Sequence, residues 1–168
     1  MICPDCGHDN IEGMDSCDTC GQPLSGVGVE TSALESVLAD QAVAALEPKQ
    51  PMMVATATTV QAAVAQMGQH KIGCLLVGQD GSLVGILTER DILNKAQDLS
   101  QPVSELMTAQ PDTVTVDDSI AYALHAMHLG GYRHIPVVDE QERPVGIISV
   151  RDVLRFLCVN LNVLSTVD

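Results

Sequence analysis

Large aromatic side chains are nearly absent. Phe, Trp and Tyr make up 2% of the 168 residues, with no Trp, one Phe and two Tyr. A core must therefore be assembled from Val, Ile, Leu, Ala and Met, and a hydrophobic content of 46% supplies enough of them. Long apolar runs are missing too. Each hydrophobic stretch is short and broken by polar residues, which excludes a spanning helix of about 20 apolar residues. The start, Met1-Ile2-Cys3-Pro4-Asp5, carries neither a basic nor an apolar leader region, so no signal peptide is expected and the predicted location is the cytoplasm. Basic charge is scarce: 8 Lys and Arg stand against 22 Asp and Glu, a net charge of −14. No Lys or Arg precedes Lys49, whereas nine Asp and Glu do. Nucleic-acid binding rests on neutralising phosphates, so neither nucleic acid nor membrane is an expected partner.

What is present begins with four cysteines. Cys3-Pro4-Asp5-Cys6-Gly7 and Cys17-Asp18-Thr19-Cys20-Gly21 form two CxxCG knuckles. The glycine after each pair lets the backbone turn so that its amides point at sulfur. Four thiolates at this spacing suit a closed tetrahedral metal site, structural Zn²⁺ or a rubredoxin-like iron; two disulfides or free thiols are the alternatives. About twenty residues cannot fold without such a staple. The segment resembles the zinc-ribbon family, with Cys3, Cys6, Cys17 and Cys20 as the ligands. Four cysteines leave no open position for water, so the metal is expected to be structural rather than catalytic. Cys74 and Cys158 stand alone in apolar surroundings and read as small buried hydrophobes.

Gly21 to Gly28 carries turn and linker residues. Ser32-Ala33-Leu34-Glu35 then reads as a capping box, and Leu34, Val37, Leu38, Ala42, Ala45 and Leu46 follow at helical spacing. The pattern predicts one amphipathic helix ending near Pro48.

The rest of the chain repeats itself. Gly85-Ile86-Leu87-Thr88-Glu89-Arg90-Asp91-Ile92 returns as Gly146-Ile147-Ile148-Ser149-Val150-Arg151-Asp152-Val153, 61 positions on. Each copy closes the same series: an extended piece, a helix, a strand, a turn and a second strand, with another helix after it. The helix faces are Val60, Ala63, Val64 and Met67 in the first copy and Ile120, Ala123, Leu124 and Met127 in the second. Asp80-Gly81 marks a hairpin turn. The fold class predicted is α+β: two β-α-β-β-α units packed as a pair, because neither buries both faces of its short sheet alone, preceded by the four-cysteine ribbon. The expected divisions are 1–24 for the ribbon, 25–48 for linker and helix, 49–100 for unit one and 101–168 for unit two.

In the repeated motif a hydroxyl opening a helix, with an acid three residues on, is in its plainest form a helix cap. A helix N-terminus also favours phosphate, Arg90 and Arg151 stand beside the acids, and an aspartate can accept from ribose hydroxyls. With so few cations in the chain, Arg90, Arg133 and Arg151 around these segments suggest a local anion pocket. His125 and His128, three apart on a helix, have no acid or cysteine partner and read as a solvated or partly buried face.

The two units resemble a tandem pair of cystathionine β-synthase (CBS) domains. The motifs are the paired G-h-h-[ST]-x-x-D segments, the Tyr132-Arg133-His134-Ile135-Pro136-Val137-Val138-Asp139 strand and Val103-Ser104-Glu105-Leu106-Met107-Thr108 between the units. The resemblance implies binding of an adenosine nucleotide (AMP, ADP, ATP or S-adenosylmethionine) between the units. It implies ribose contacts from Thr88 and Asp91 and from Ser149 and Asp152, and adenine against Ile135-Pro136. Arg133 and His134 match the basic pair of nucleotide sensors, and Thr56 and Thr113 the positions that add a further contact. In unit one the counterpart of that strand, Gly73-Cys74-Leu75, lacks the proline. The expected function is a regulatory, non-enzymatic nucleotide sensor forming a homodimer and acting by ligand-dependent conformational change. A structural adaptor gripping a protein partner through the ribbon, with vestigial nucleotide sites, is the alternative.

Overall fold

The computed structural model describes residues 2–3, 6–11, 14–21, 23–24 and 33–160. The chain divides into two compact units, Met1–Ala33 and Leu34–Asp168. In the first, each knuckle turns back on itself. Gly7 N–H donates to Cys3 C=O at 3.0 Å and Gly21 N–H to Cys17 C=O at 2.8 Å. Both glycines adopt the left-handed conformation, at φ 71° and 74°. Single antiparallel bridges, Ile2 with Asp9 and Ser16 with Pro23, flank the turns. The small core is Cys3, Cys17 and Leu24, with Met14 against it.

The second unit holds the repeat. Its first half contains β1 (Met53–Ala55), α2 (Val60–His70), β2 (Cys74–Gln79), β3 (Ser82–Thr88) and α3 (Glu89–Lys95), following an initial α1 (Ala33–Asp40). β1 runs parallel to β2, β2 antiparallel to β3, and β3 antiparallel to a short β4 (Thr108–Ala109). Asp80 and Gly81, at φ 52° and 84°, make the two-residue turn between β2 and β3. Thr59 caps α2 by accepting from Ala62 N–H at 3.3 Å. The second half repeats the order. Val114 bridges Val137 in parallel, Ser119 caps α4 (Ile120–Gly130), and β5 (His134–Val138) pairs antiparallel with β6 (Pro144–Ser149) before α5 (Val150–Asn160).

The predicted helix to Pro48 is corrected. α1 ends at Asp40, and Val43–Leu46 forms a separate 3₁₀ turn. The reason is tertiary. Gln41 C=O accepts from Ile120 N–H at 2.9 Å, Val43 N–H donates to Asp118 C=O at 2.7 Å, and Ala44 N–H to Val116 C=O at 2.9 Å. These bonds draw the backbone out of the helix and onto the second half. The Ser32–Glu35 capping box lies outside the described residues.

The same arrangement recurs sixty residues on. A 3₁₀ turn at Val103–Glu105 docks on the first half, where Val60 N–H donates to Gln101 C=O and Val103 N–H to Thr58 C=O at 2.9 and 2.8 Å. Each half therefore takes its core turn from the segment preceding the other. Val43 and Leu46 are buried with Ile120, Ile135, Val137 and Ile148. Val103 and Leu106 are buried with Val60, Leu75, Val77 and Leu87. Cys74, Leu76, Leu83 and Ile86 of the first half meet Ile147 of the second, so the two repeated halves pack on one another.

Candidate functional site

Both repeated motifs form at the end of a strand and open a helix. Thr88 caps α3: its hydroxyl accepts from Asp91 N–H at 3.2 Å, while Asp91 Oδ2 accepts from Thr88 N–H at 3.0 Å and from its hydroxyl at 2.6 Å. Asp91 Oδ1 accepts from Lys95 Nζ at 2.7 Å, and the same ammonium donates to Leu106 C=O at 2.9 Å. Burial works against the Asp91 carboxylate. Lys95 and the two Thr88 donors outweigh it and hold Asp91 below the usual carboxylate range.

Beyond this motif opens a cavity of about 310 Å³. Thr88, Glu89, Arg90 and Asp91 form one side, Thr108 and Gln110 to Asp112 the connector side, and Gly130 to His134 the side contributed by unit two. Arg90 reaches across it, donating to Gly131 C=O at 3.3 Å. Tyr132 donates its hydroxyl to Asp112 Oδ2 at 2.8 Å. Burial and that carboxylate raise the Tyr132 pKa, keeping the phenol protonated as the donor. Burial, chiefly, lowers the pKa of His134, with Arg133 adding to the effect. Gly73 leaves room at the inner wall; a β-carbon there would lie 3.4 Å from Glu89 Oε2 and 3.8 Å from His134 Cε1.

The second motif repeats the hydrogen bonds from hydroxyl and backbone to the aspartate, in a denser surrounding. Asp152 Oδ2 accepts from Ser149 N–H at 2.8 Å and from its hydroxyl at 2.6 Å. Its Oδ1 lies 2.6 Å from an Arg155 guanidinium nitrogen and 3.1 Å from Lys49 Nζ. Asp152 is 5% exposed. Burial opposes its ionisation, and Ser149 and Lys49 still bring its pKa below the usual range.

At the N-terminus the sulfurs of Cys3, Cys6, Cys17 and Cys20 all lie within 4.8 Å of one another. The Cys3–Cys20 and Cys6–Cys17 separations are both 3.6 Å. A tetrahedral ion with metal–sulfur bonds of about 2.3 Å needs sulfur–sulfur edges of about 3.8 Å, so the donor set fits zinc. Burial resists ionisation of Cys17, yet amides of Cys20 and Thr19 donate to its sulfur and bring its pKa to about 6. Among the described residues this is the sole cluster of three or more potential metal ligands.

The family model for the CBS domain matches residues 43–98 and 103–159. The chain belongs to the CBS domain family. A 17.7 kDa protein of the bps2 3′ region in Acidianus ambivalens is 37% identical over 102 residues, 59% of this chain and 62% of that protein. The CBS domain-containing protein CBSCBSPB5 of Arabidopsis thaliana is 38% identical over 97 residues, 55% of this chain and 18% of its own length. The chain therefore spans less than two thirds of these relatives. Among solved structures, the CBS domain pair of protein MJ0100, in complex with 5′-methylthioadenosine and S-adenosyl-L-methionine, superposes with a TM-score of 0.65. It is 26% identical, over 70% of this chain and 99% of that one.

The CBS pair gathers only part of the expected set. Thr88, Arg90, Asp91, Arg133 and His134 line the cavity between the units. Ile135 and Pro136 are buried within the sheet of CBS unit two and line neither this cavity nor the next. Ile135 is fully enclosed in the core. Thr56 uses its carbonyl to accept from Ser104 N–H at 3.2 Å. Thr113 faces a second hollow, with Tyr122, His125 and Leu129. Ser149, Arg151 and Asp152 sit outside both cavities. Sequence reasoning missed Glu89, Asp112 and Tyr132 as lining residues. Tyr132 alone carried a signal, as the aromatic at the start of the Arg133-His134-Ile135-Pro136 strand. Cys74 is buried, and burial together with Glu89 pushes its thiol up to about 12, which suits a core residue and not a nucleophile.

Proposed function

We propose that the chain is a regulatory sensor of an adenosine-type ligand, with a structural zinc ribbon at its N-terminus and no catalytic activity. The observation that carries this reading is the cavity joining the Thr88–Asp91 capping box of one CBS unit to Arg133 and His134 of the other. A ligand held there by both units shifts their relative angle as far as it prefers one arrangement. Thr88 and Asp91 would meet the ribose, and Arg90, Arg133 and His134 the phosphate or its replacement. Thr56, Thr113, Ile135, Pro136, Ser149, Arg151 and Asp152 are the positions proposed for the equivalent second site, on the Asp152 side of the pair, whose occupancy sets how many ligands a chain takes. The likeness to a CBS pair that binds 5′-methylthioadenosine and S-adenosylmethionine supports an adenosine class of ligand. Cys3, Cys6, Cys17 and Cys20 would hold the zinc, which supplies a cross-link and no reaction. The proposed location is the cytoplasm, where thiols stay reduced. The proposed assembly is a homodimer, supported by exposed Val64, Tyr122, Leu129 and Leu154 on the helices.

Thermal melting of zinc-loaded protein against AMP, ADP, ATP, S-adenosylmethionine and NAD tests the reading. Ligand at 100 times its dissociation constant stabilises by about 2.7 kcal/mol. A shift with one adenosine compound supports the sensor, and no shift with any of them removes it. A second reading, an adaptor with vestigial nucleotide sites that contacts a protein through the ribbon, is favoured by one observation. Both motif aspartates already have partners within the chain.

A further inference from the structure

The two motif carboxylates differ in what the rest of the chain does to them. A carboxylate offers about four acceptor positions. Asp91 uses three: Thr88 N–H, Thr88 hydroxyl and Lys95. Asp152 uses the equivalent three, from Ser149 and Arg155, and its remaining position receives Lys49 at 3.1 Å. Lys49 arrives on the segment preceding CBS unit one, which pairs with the edge of unit two. Its N–H donates to Ile147 C=O at 3.1 Å and its C=O accepts from Ile147 N–H at 2.9 Å. The counterpart of Ile147 in unit one is Ile86, and its strand partner is Thr108, an uncharged residue that lines the cavity. Where Asp91 meets one cation, Lys95, Asp152 meets two, Arg155 and Lys49, the second carried on a backbone segment bridged to Ile147.

We infer that Lys49 occupies the ribose-accepting position of Asp152, so that each chain takes a single adenosine ligand, at Asp91. The inference rests on the sensor reading above and deepens it by assigning stoichiometry to one side chain. Ribose hydroxyls must donate to a carboxylate oxygen with a vacant lone pair. Asp91, which lines the cavity, has one acceptor position beyond its three donors. Asp152 has none until Lys49 withdraws.

The Lys49 side chain is 64% exposed, so replacing it leaves the core intact. Titration calorimetry of the full chain with AMP and, separately, with S-adenosyl-L-methionine reads the outcome. The wild type is expected to bind one molecule per chain, Lys49→Met two, Asp91→Asn none, and the double variant Lys49→Met/Asp91→Asn one. Two molecules on the wild type, or one on Lys49→Met, overturns the inference while the sensor reading stands. No binding of either probe to wild type or Lys49→Met overturns the sensor reading and the inference with it. A ligand-free measurement stands beside these: ¹³C NMR titration of Asp152 should give a higher pKa in Lys49→Met than in the wild type. An unchanged value would show that Lys49 does not engage the carboxylate and would overturn the inference by itself.

Discussion

Gly146 lies against Pro48 with no space for a side chain between them. A β-carbon on Gly146 would come within 2.7 Å of Pro48 Cβ and 3.3 Å of Val137 Cβ. Pro48 is a rigid ring held next to the Lys49–Ile147 ladder, so it has little room to yield. Gly146→Ala is therefore expected to destabilise by about 1–3 kcal/mol, the usual cost of overpacking. Gly68 in α2 is the control, because a β-carbon there meets nothing within 4 Å. Gly68→Ala should stabilise by up to about 1 kcal/mol through helix propensity. Urea denaturation of both variants measures the difference, and equal effects would refute the crossed packing at Gly146.

The same crossing makes Leu46 a core residue of the CBS unit that follows much later in the chain. It is 4% exposed and packs with the cluster around Ile120 and Ile135. Leu46→Ala should cost about 2–5 kcal/mol, as deletions of buried leucine do. Amide exchange distinguishes this from a local effect. Protection should fall in β5 and β6 more than in β2 and β3. Loss confined to the neighbourhood of residue 46 would contradict the swap.

The order of the repeat, the capping hydroxyls and the Asp80-Gly81 turn were legible because each rests on local chemistry or short periodicity. Thr88 with Asp91 reads as a capping box and forms one, and Ser149 with Asp152 repeats its bonds to the aspartate. The end of α1 was not legible. Val43 and Leu46 continue the helical spacing of Leu38, and only hydrogen bonds to residues 116–120 pull that stretch away. One signal was available: Val43-Ala44-Ala45-Leu46 recurs as Val103-Ser104-Glu105-Leu106, sixty positions on, inside the repeat and not before it. The cavity divides the same way. Its motif residues could be named from sequence, whereas Asp112 enters through the docking of the two halves, which no local pattern encodes.

Metal removal should separate the two compact units. Loss of Zn²⁺ or substitution of Cys17→Ser leaves Met1–Ala33 without its staple, since the small core there is two cysteines and Leu24 with Met14 beside them. Elemental analysis is expected to give one zinc per wild-type chain and none in Cys17→Ser. The main calorimetric transition, from the CBS pair, should keep its midpoint. Iron in the wild type would correct the metal. A main transition that collapses on chelation would mean the pair does not fold independently.

His134 should make the CBS pair weaken on mild acidification. It stands at the start of β5, where burial, above all, and the neighbouring Arg133 and Arg151 disfavour the imidazolium; Asp152 and Glu89 oppose them without prevailing. The folded pKa therefore lies below the ordinary 6.5. In that window the unfolded chain binds more protons than the folded one, so stability rises with pH. The His134 contribution is fully present above the unfolded value and is lost as pH falls through it toward the folded value. Urea midpoints measured from pH 7.5 to 5 should decline, and His134→Gln, which cannot titrate, should flatten the slope. An unchanged slope in the variant would move the effect to another group, and a rising midpoint would mean that Asp152 and Glu89 outweigh burial at this position.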